Sequence, residues 1–313
     1  MKNFRKFLAL LSLMSILFSF GGTAQAEVLE LPIDFSGGMP LQEKFEQGKM
    51  SYEDPSIKVE RMYAKSDEYD CTYYVVDITI ANATQLRTES AGGGEKGFKT
   101  RQKVSVPVMA KRVNAVVAMD GDYFGEHPDS FVLRQGVMFR EISETWHDLL
   151  LIDEDGDFHV ILAGNRDVEE GLGNTFPSTP VTHEQLTQVN GKRVINGFDF
   201  GPCIILNGEE VEANPRSIVH PHKSQSWNRA QRICLCQVGP LQYRIVAVAH
   251  FGLSVQDFTK LVLSLGPVET AYMFDGGSST QIAFMNKKIN NTQDTNLRTV
   301  CDSIYFASAY VED

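Results

Sequence analysis

The sequence predicts an α+β fold, a mixed and largely antiparallel sheet with a few packing helices. Three observations carry the prediction. Apolar runs of strand length greatly outnumber helical patterns along the 313 residues. Asp155-Gly156 and Asn207-Gly208 each follow such a run with the chemistry of a hairpin turn. The one long helical stripe lies in 254–265. Strands joined by hairpins build antiparallel or mixed sheet rather than a doubly wound one.

The first 26 residues stand apart from that fold. Lys2, Arg5 and Lys6 open a basic start, Phe7 to Phe20 is apolar, and Ala24-Gln25-Ala26 offers the small residues a signal peptidase needs. The apolar run has about 14 residues against the ~20 that span a bilayer. Cleavage is expected before Glu27; an uncleaved N-terminal anchor is the alternative. Either places the body of the protein outside the cytoplasm, secreted or associated with the cell envelope. No later run is long enough to cross a membrane, so no span is expected after cleavage. Residues 27–54 are polar and read as an N-terminal arm, and 55–313 as the folded domain.

Within the domain a strand pattern begins at Ile57, and Tyr74, Val76, Ile78 and Ile80 alternate onto one face of the clearest strand. Ser90–Lys103, with Gly92, Gly93 and Gly94, reads as a mobile loop. Ser105 and Pro107 mark the start of a short helix over Val106–Arg112. Ala115–Met119 is a continuous apolar run, hence a buried strand. Further strands are expected at Asp148–Ile152, Phe158–Leu162, Phe200–Leu206, Arg232–Val238 and Arg244–Phe251. A short helix is expected near Thr182–Leu186, and 212–229 reads as a long polar loop. In 254–265, Ser254 caps the helix and Asp257 takes the third position, close to a capping box. Val255, Phe258, Leu261, Val262 and Leu265 form the buried stripe, and Gly266-Pro267 ends it. Strands at Ala271–Phe274 and Cys301–Ala307 close the domain.

Charge narrows the partners. The formal net charge is −11, and losing Lys2, Arg5 and Lys6 with the leader takes it to −14. Nucleic acid and anionic membrane need a basic surface and are excluded as main partners. A small anionic substrate needs only a few arginines at one place. The five cysteines, Cys71, Cys203, Cys234, Cys236 and Cys301, include no CxxC pair and no zinc spacing. They read as buried free thiols; a disulfide between non-adjacent cysteines is the alternative in an oxidising compartment. Cys234 and Cys236 share a strand face.

Two buried strands end alike, in Met119-Asp120-Gly121-Asp122-Tyr123-Phe124 and Phe274-Asp275-Gly276-Gly277-Ser278-Ser279. A buried strand fixes the carboxylate at its end, and the glycines let a ligand approach the backbone. The small residues after Asp275 leave amides for an anion. Singly, each is also an ordinary turn, and Asp120 or Asp275 serves equally as a turn cap or as a ligand of a structural cation.

Taken in order, these segments resemble the phosphodiester glycosidase family over roughly residues 55–308. Ala118-Met119-Asp120-Gly121-Asp122-Tyr123-Phe124 matches the family's Ala-Ile-Asn-Gly-Asp-Tyr-Phe pattern. Phe200-Gly201-Pro202 before Asn207-Gly208, Arg232 opening a strand, Asp275–Thr280 after a leucine-rich helix, and Arg298 before the last strand follow in the family's order. The departures are Asp120 for the usual Asn, His250 where Asp is common, Ser278 for a third glycine, and Ile233-Cys234-Leu235-Cys236 for Thr-Ala-Ile-Gly.

The resemblance implies a hydrolase that cleaves the glycosidic C–O bond of a sugar-1-phosphodiester, in cell-envelope or extracellular glycans. The expected substrate is a sugar-phosphate diester or anionic envelope glycan. Such a site must stabilise negative charge growing on phosphate and positive charge growing on the sugar. Arg232 is the first choice for the phosphate and Arg298 the second, because a guanidinium meets two oxygens together. Gly121, Gly276, Gly277 and Ser278 are expected to line the substrate, and His250 is a candidate to reach it from its strand end, a core or rim histidine being the alternative. Asp275 is the first choice for the sugar side as nucleophile, base or electrostatic stabiliser, followed by Asp122 and Asp120. His127 is a further proton-donor candidate, and Tyr123 and Phe124 either pack or line the pocket. Arg232 pairing structurally with a carboxylate is the alternative to its phosphate role. No cofactor is firmly implied. A divalent cation such as calcium is the one metal left open, although no EF-hand spacing occurs. His220-Pro221-His222 has the look of a metal pair but shows no third ligand. Two other readings stand beside the hydrolase: a non-catalytic envelope glycan-binding protein, and a metal-dependent phosphodiesterase acting on the P–O bond. No G-x-S-x-G elbow or P-loop is present.

Overall fold

A computed structural model describes residues 27–39, 45, 49–163, 178–214, 229–249, 251–291 and 298–311. His220, His222 and His250 lie outside the described residues. Three sheets dominate. The largest has eight strands, and from its middle to one edge it runs Thr270–Met273, Ile233–Gly239, Gln242–Val248, Cys71–Ile80, Ile57–Ser66 and Ser51–Asp54. A five-stranded sheet is centred on Ala115–Asp120, flanked by Ile282–Phe284 and Asp302–Ala307. The third contains Leu149–Asp153, Lys192–Asp199, Val132–Arg134 and Val137–Arg140. The ladders that build them are antiparallel.

The core lies between these sheets, with helices on their outer faces. The alternation of Tyr74, Val76, Ile78 and Ile80 becomes one wall of it. Leu235, Ile245 and Phe274 of the large sheet meet Val117, Met119, Ile304, Phe306 and Leu150 of the other two. The opposite face of the large sheet carries Cys234, Cys236, Val246 and Val248 and is covered by the helix Val255–Ser264. That helix buries Val255, Phe258, Leu261 and Val262, while Leu265 at its end is half-buried. Ser254 caps it by accepting from the Asp257 amide at 3.1 Å. Burying such a side chain contributes roughly 1.5–3 kcal/mol, so the stripe rather than propensity holds the helix. All five cysteines are buried free thiols, and the sulfurs of Cys234 and Cys236 lie 3.6 Å apart on one strand face.

Several segments differ from the sequence reading. The segment 27–54 contributes strands: Glu27–Val28 pairs with Tyr310–Val311, and Ser51–Asp54 pairs with the start of Ile57–Ser66. Leu31 is buried, and the wholly buried Arg87 guanidinium donates to the carbonyls of Pro32, Asp34 and Ser36. One internal cation thus replaces the apolar pattern that would have revealed the packing. Ser90–Lys103 contains a helical turn at Gly94–Gly97 and buries Phe98. Lys192–Asp199 is a strand inside a region that shows no alternation, because Asn196-Gly197 carries turn chemistry in its middle. Gly197 is required there, since a Cβ would run into the Phe131 ring. Of the strand expected over Phe200–Leu206, only Cys203–Leu206 forms, and the strand expected to reach Phe251 ends at Val248.

Candidate active site

The two Asp-Gly strand ends meet. Asp275 donates its amide to the carbonyl of Gly121 at 3.3 Å, bringing the end of Thr270–Met273 against the end of Ala115–Asp120. Gly121 in turn donates to the Asp302 carbonyl at 3.3 Å, and a Cβ on Gly121 would strike the Asp302 carboxylate. Asp120, Asp122, Asp275 and Asp302 therefore crowd into one place. Beneath them lies Arg134, with no exposed side-chain surface, whose Nη2 reaches Asp122 Oδ1 at 2.8 Å and Asp302 Oδ2 at 3.2 Å. Its guanidinium carbon stacks 4.1 Å from the centre of the Phe198 ring, and it also donates to the Gly197 carbonyl.

Each carboxylate has a different environment. Asp122 accepts from Arg134, from the Phe124 amide at 3.3 Å and from the Asp199 amide at 3.2 Å. Asp120 accepts from the Gln281 amide at 2.8 Å, while its Oδ2 has no partner among the described residues. Burial pushes the Asp120 carboxyl well above its ordinary pKa, with the charges of Asp275 and Asp302 adding to the rise. Asp302 is pushed up by burial and by Asp122, and Arg134 opposes the rise. Asp275 is raised to about 6, first by burial; the Ser279 hydroxyl, Arg298 and the Gly276 amide offset part of that. Although its side chain is partly open to solvent, protein packed around the carboxyl makes desolvation the leading cause.

Arg298 is exposed at the edge of the cluster and donates to Ser278 Oγ at 3.3 Å. Its backbone carbonyl accepts from Gln281 Nε2 at 2.8 Å, so Gln281 ties Arg298 to Asp120. Arg232 opens the strand beside Asp275. The register Cys234↔Met273 extends to put residue 232 across from 275, and the Arg232 Nε donates to the Leu253 carbonyl at 3.2 Å. Its guanidinium is buried, and burial lowers its pKa to about 10. Among the described contacts, the guanidinium at the carboxylates is Arg134 and the one at their rim is Arg298. The Gly277 amide donates to the Gln231 carbonyl at 2.9 Å, and Gly276 packs against that carbonyl. His127 is half-buried, with its ring 5.7 Å from that of Tyr123, and Phe124 is a packing residue in the aromatic cluster with Phe98. No group of three His, Cys, Asp or Glu side chains among the described residues is arranged to hold a metal ion.

Sequence reasoning missed Arg134, Asp302, Asp199 and Gln281. The available signal was a charged residue at the end of a short apolar strand, as in Phe131-Val132-Leu133-Arg134, and an Asp opening the last strand.

Four clustered carboxylates, one internal arginine and one at the rim describe a site for charged-group hydrolytic chemistry. The sequence profile of the phosphodiester glycosidases matches residues 113–307, which contain all of these side chains, and the chain belongs to that family. Its fold resembles the catalytic domain of zebrafish N-acetylglucosamine-1-phosphodiester α-N-acetylglucosaminidase, auto-inhibited by its pro-peptide, with a TM-score of 0.61 at 12% identity over 83% of this chain and 86% of that one. A hypothetical protein from Synechocystis matches with a TM-score of 0.57 at 15% identity, over 82% of this chain and 62% of the other. An uncharacterized SPbeta prophage-derived protein of Bacillus subtilis, YomE, is 24% identical over 76% of this chain, and the match spans only 36% of that protein.

Two predictions follow from the carboxyl environments. Burial pushes the Asp120 carboxyl well above its ordinary range and so favours its neutral form. Asp120→Asn keeps the Gln281 contact and changes little charge, so kcat/KM is expected to stay within about tenfold, or ~1.4 kcal/mol. Steady-state kinetics of the variant check this. The raised carboxyls also act on stability. Between the ordinary carboxyl range near ~4 and the folded values, the folded chain holds protons that the unfolded chain has lost. Their stabilising contribution is full below that ordinary range and is lost as pH rises through the folded values, about 6 for Asp275. The urea midpoint is expected to fall between about pH 5 and about pH 7, and Asp302→Asn, which cannot ionise, should flatten the fall.

Proposed function

We propose that this chain is an extracytoplasmic hydrolase cleaving the glycosidic C–O bond of a sugar-1-phosphodiester in cell-envelope or extracellular glycans. The basic, apolar and small-residue leader supports the location, and family membership supports the reaction. The zebrafish relative's name supplies the substrate class, an N-acetylglucosamine-1-phosphodiester. The observation that carries the reading is the junction at Asp275 and Gly121, which sets an ionisable carboxylate beside a rim arginine.

In this reading Asp275, ionised above about pH 6, faces the anomeric carbon and stabilises or captures the cation forming there. Arg298, braced by Ser278 and Gln281, meets the phosphate. Breaking the C–O bond sends its electron pair to the phosphate oxygen. The product monoester has a second ionisation near ~6, so the leaving group departs with little need of a strong acid. Asp122 and Asp302 hold Arg134, and through it the shape of the cleft.

Hydrolysis of N-acetyl-α-glucosamine 1-(methyl phosphate) in heavy-oxygen water tests the proposal. Label in the released sugar is expected. Label in the phosphate would instead make the protein a phosphodiesterase, and binding without turnover would make it a glycan-binding protein.

A further inference from the structure

A second pair of side chains adjoins the carboxylate cluster and has no role in the reaction as described so far. His147 lies on the turn between Glu144–Thr145 and Leu149–Asp153. Its backbone is pinned on both sides of the peptide: the amide donates to Thr145 Oγ1 at 3.1 Å, and the carbonyl accepts from the same hydroxyl at 2.7 Å. The ring Nδ1 sits 2.8 Å from Asp199 Oδ1. A carboxylate only accepts, so Nδ1 carries the proton there and Nε2 is turned to the other side of the ring.

Asp199 is the bridge between this histidine and the cluster. Its Oδ2 accepts from the Phe131 amide at 2.8 Å, and its own amide donates to Asp122 Oδ2 at 3.2 Å. The carboxylate that orients His147 is therefore one residue's breadth from the carboxylate that holds Arg134. The His147 side chain keeps 27% of its surface exposed while Asp199 keeps 4%, so the dyad is anchored inside and open at its tip. The His147 ring meets the His127 ring edge-on at 6.2 Å, and His127 leads on to Tyr123, next to Asp122. The titratable and charged groups facing the dyad among the described residues include Asp122, His127, Tyr272 and Arg140; Asp122 accepts from the Asp199 amide, and the last two interact with Asp199.

We propose that His147, oriented by Asp199, is a phosphate-side residue of this site, donating Nε2–H to a non-bridging oxygen of the scissile diester as its second negative charge develops. The proposal rests on the diester-hydrolase reading. The C–O electron pair goes to the bridging oxygen, water supplies the hydroxyl to the sugar carbon, and its proton leaves to a carboxylate or to solvent. The imidazolium balances charge on the phosphate, which the surrounding aspartates cannot do. Asp199 is a positioning residue in the same pair.

The test uses the full chain with N-acetyl-α-glucosamine 1-(methyl phosphate), following kcat and KM against pH. The wild-type protein is expected to lose kcat/KM on an alkaline limb where an imidazolium gives up its proton. His147→Gln should lower kcat by ~10²-fold or more with a small change in KM, and should abolish that limb. Asp199→Asn should lower kcat in the same sense as His147→Gln but by less, because the ring loses the carboxylate that orients it. His127→Gln, with the limb retained, separates the two histidines. A merely structural His147 would lower the thermal midpoint and leave the shape of the profile unchanged, which would overturn this assignment while the hydrolase reading stands. Absence of turnover in the wild-type protein would overturn both.

Discussion

Asn in place of Asp275 is expected to lower kcat on a sugar-1-phosphodiester by ~10³-fold or more, with KM unchanged or lower. The magnitude is that of removing a group that acts on charge developing in the transition state. The split between kcat and KM follows from sign. The substrate is an anion, so deleting a negative charge beside it does not weaken its binding, while the cation forming on the sugar loses its stabiliser. The wild-type acidic limb of kcat/KM, expected near pH 6 from the position of the Asp275 carboxyl, should vanish in the variant. Asn keeps the size and the acceptor that Ser279 uses, so the thermal midpoint should hold. A raised KM with kcat intact would remove Asp275 from the chemistry and make it a binding residue.

Arg134→Met is expected to be the most destabilising single change at the site. The guanidinium is wholly buried and is shared by Asp122 and Asp302. Removing it leaves the buried Asp122 and Asp302 without their shared cation, and breaking a buried pair in this way typically costs about 3–5 kcal/mol. For a chain of this size that lowers the thermal midpoint by on the order of 10 °C. Most of the loss comes from stranded charge rather than from lost packing, since Met fills much of the stem's space between Phe198 and Phe98. The triple variant Arg134→Met, Asp122→Asn, Asp302→Asn should therefore recover part of the midpoint. Urea denaturation of the single and triple variants reads this directly; a triple variant no more stable than the single would refute the charge argument.

How far the site was legible in the sequence depends on the residue. Asp120, Asp122 and Asp275 stand out because each closes a buried strand and is followed by glycine, and their convergence is a property of two adjacent strand ends. Arg298 stands out only through its place before the last strand. Arg232 stands out as the arginine that opens a strand. Its strand position, across from Asp275, is readable from register, and its Nε donates to the Leu253 carbonyl, a contact with a loop that no strand pattern announces. Arg134 sits 168 residues from its partner Asp302 and His147 sits 52 from Asp199, in segments that share no local pattern.

The sequence by itself determined the elements whose cause is local. The helix Val255–Ser264 follows from its stripe, its Ser254 cap and the glycine that ends it. The hairpin turns at Asp155-Gly156 and Asn207-Gly208 follow from residues that tolerate positive φ: Gly156 lies at +84°, Asn207 at +53° and Gly208 at +81°. The α+β class follows from counting such elements. Tertiary structure alone decided which carboxylates lie within reach of which cation, and which of them burial drives toward the neutral form. Those properties depend on antiparallel register between distant strands and on how much water is excluded around each oxygen. No window along the chain contains either quantity, because both are set by groups that meet only when the sheets close on one another.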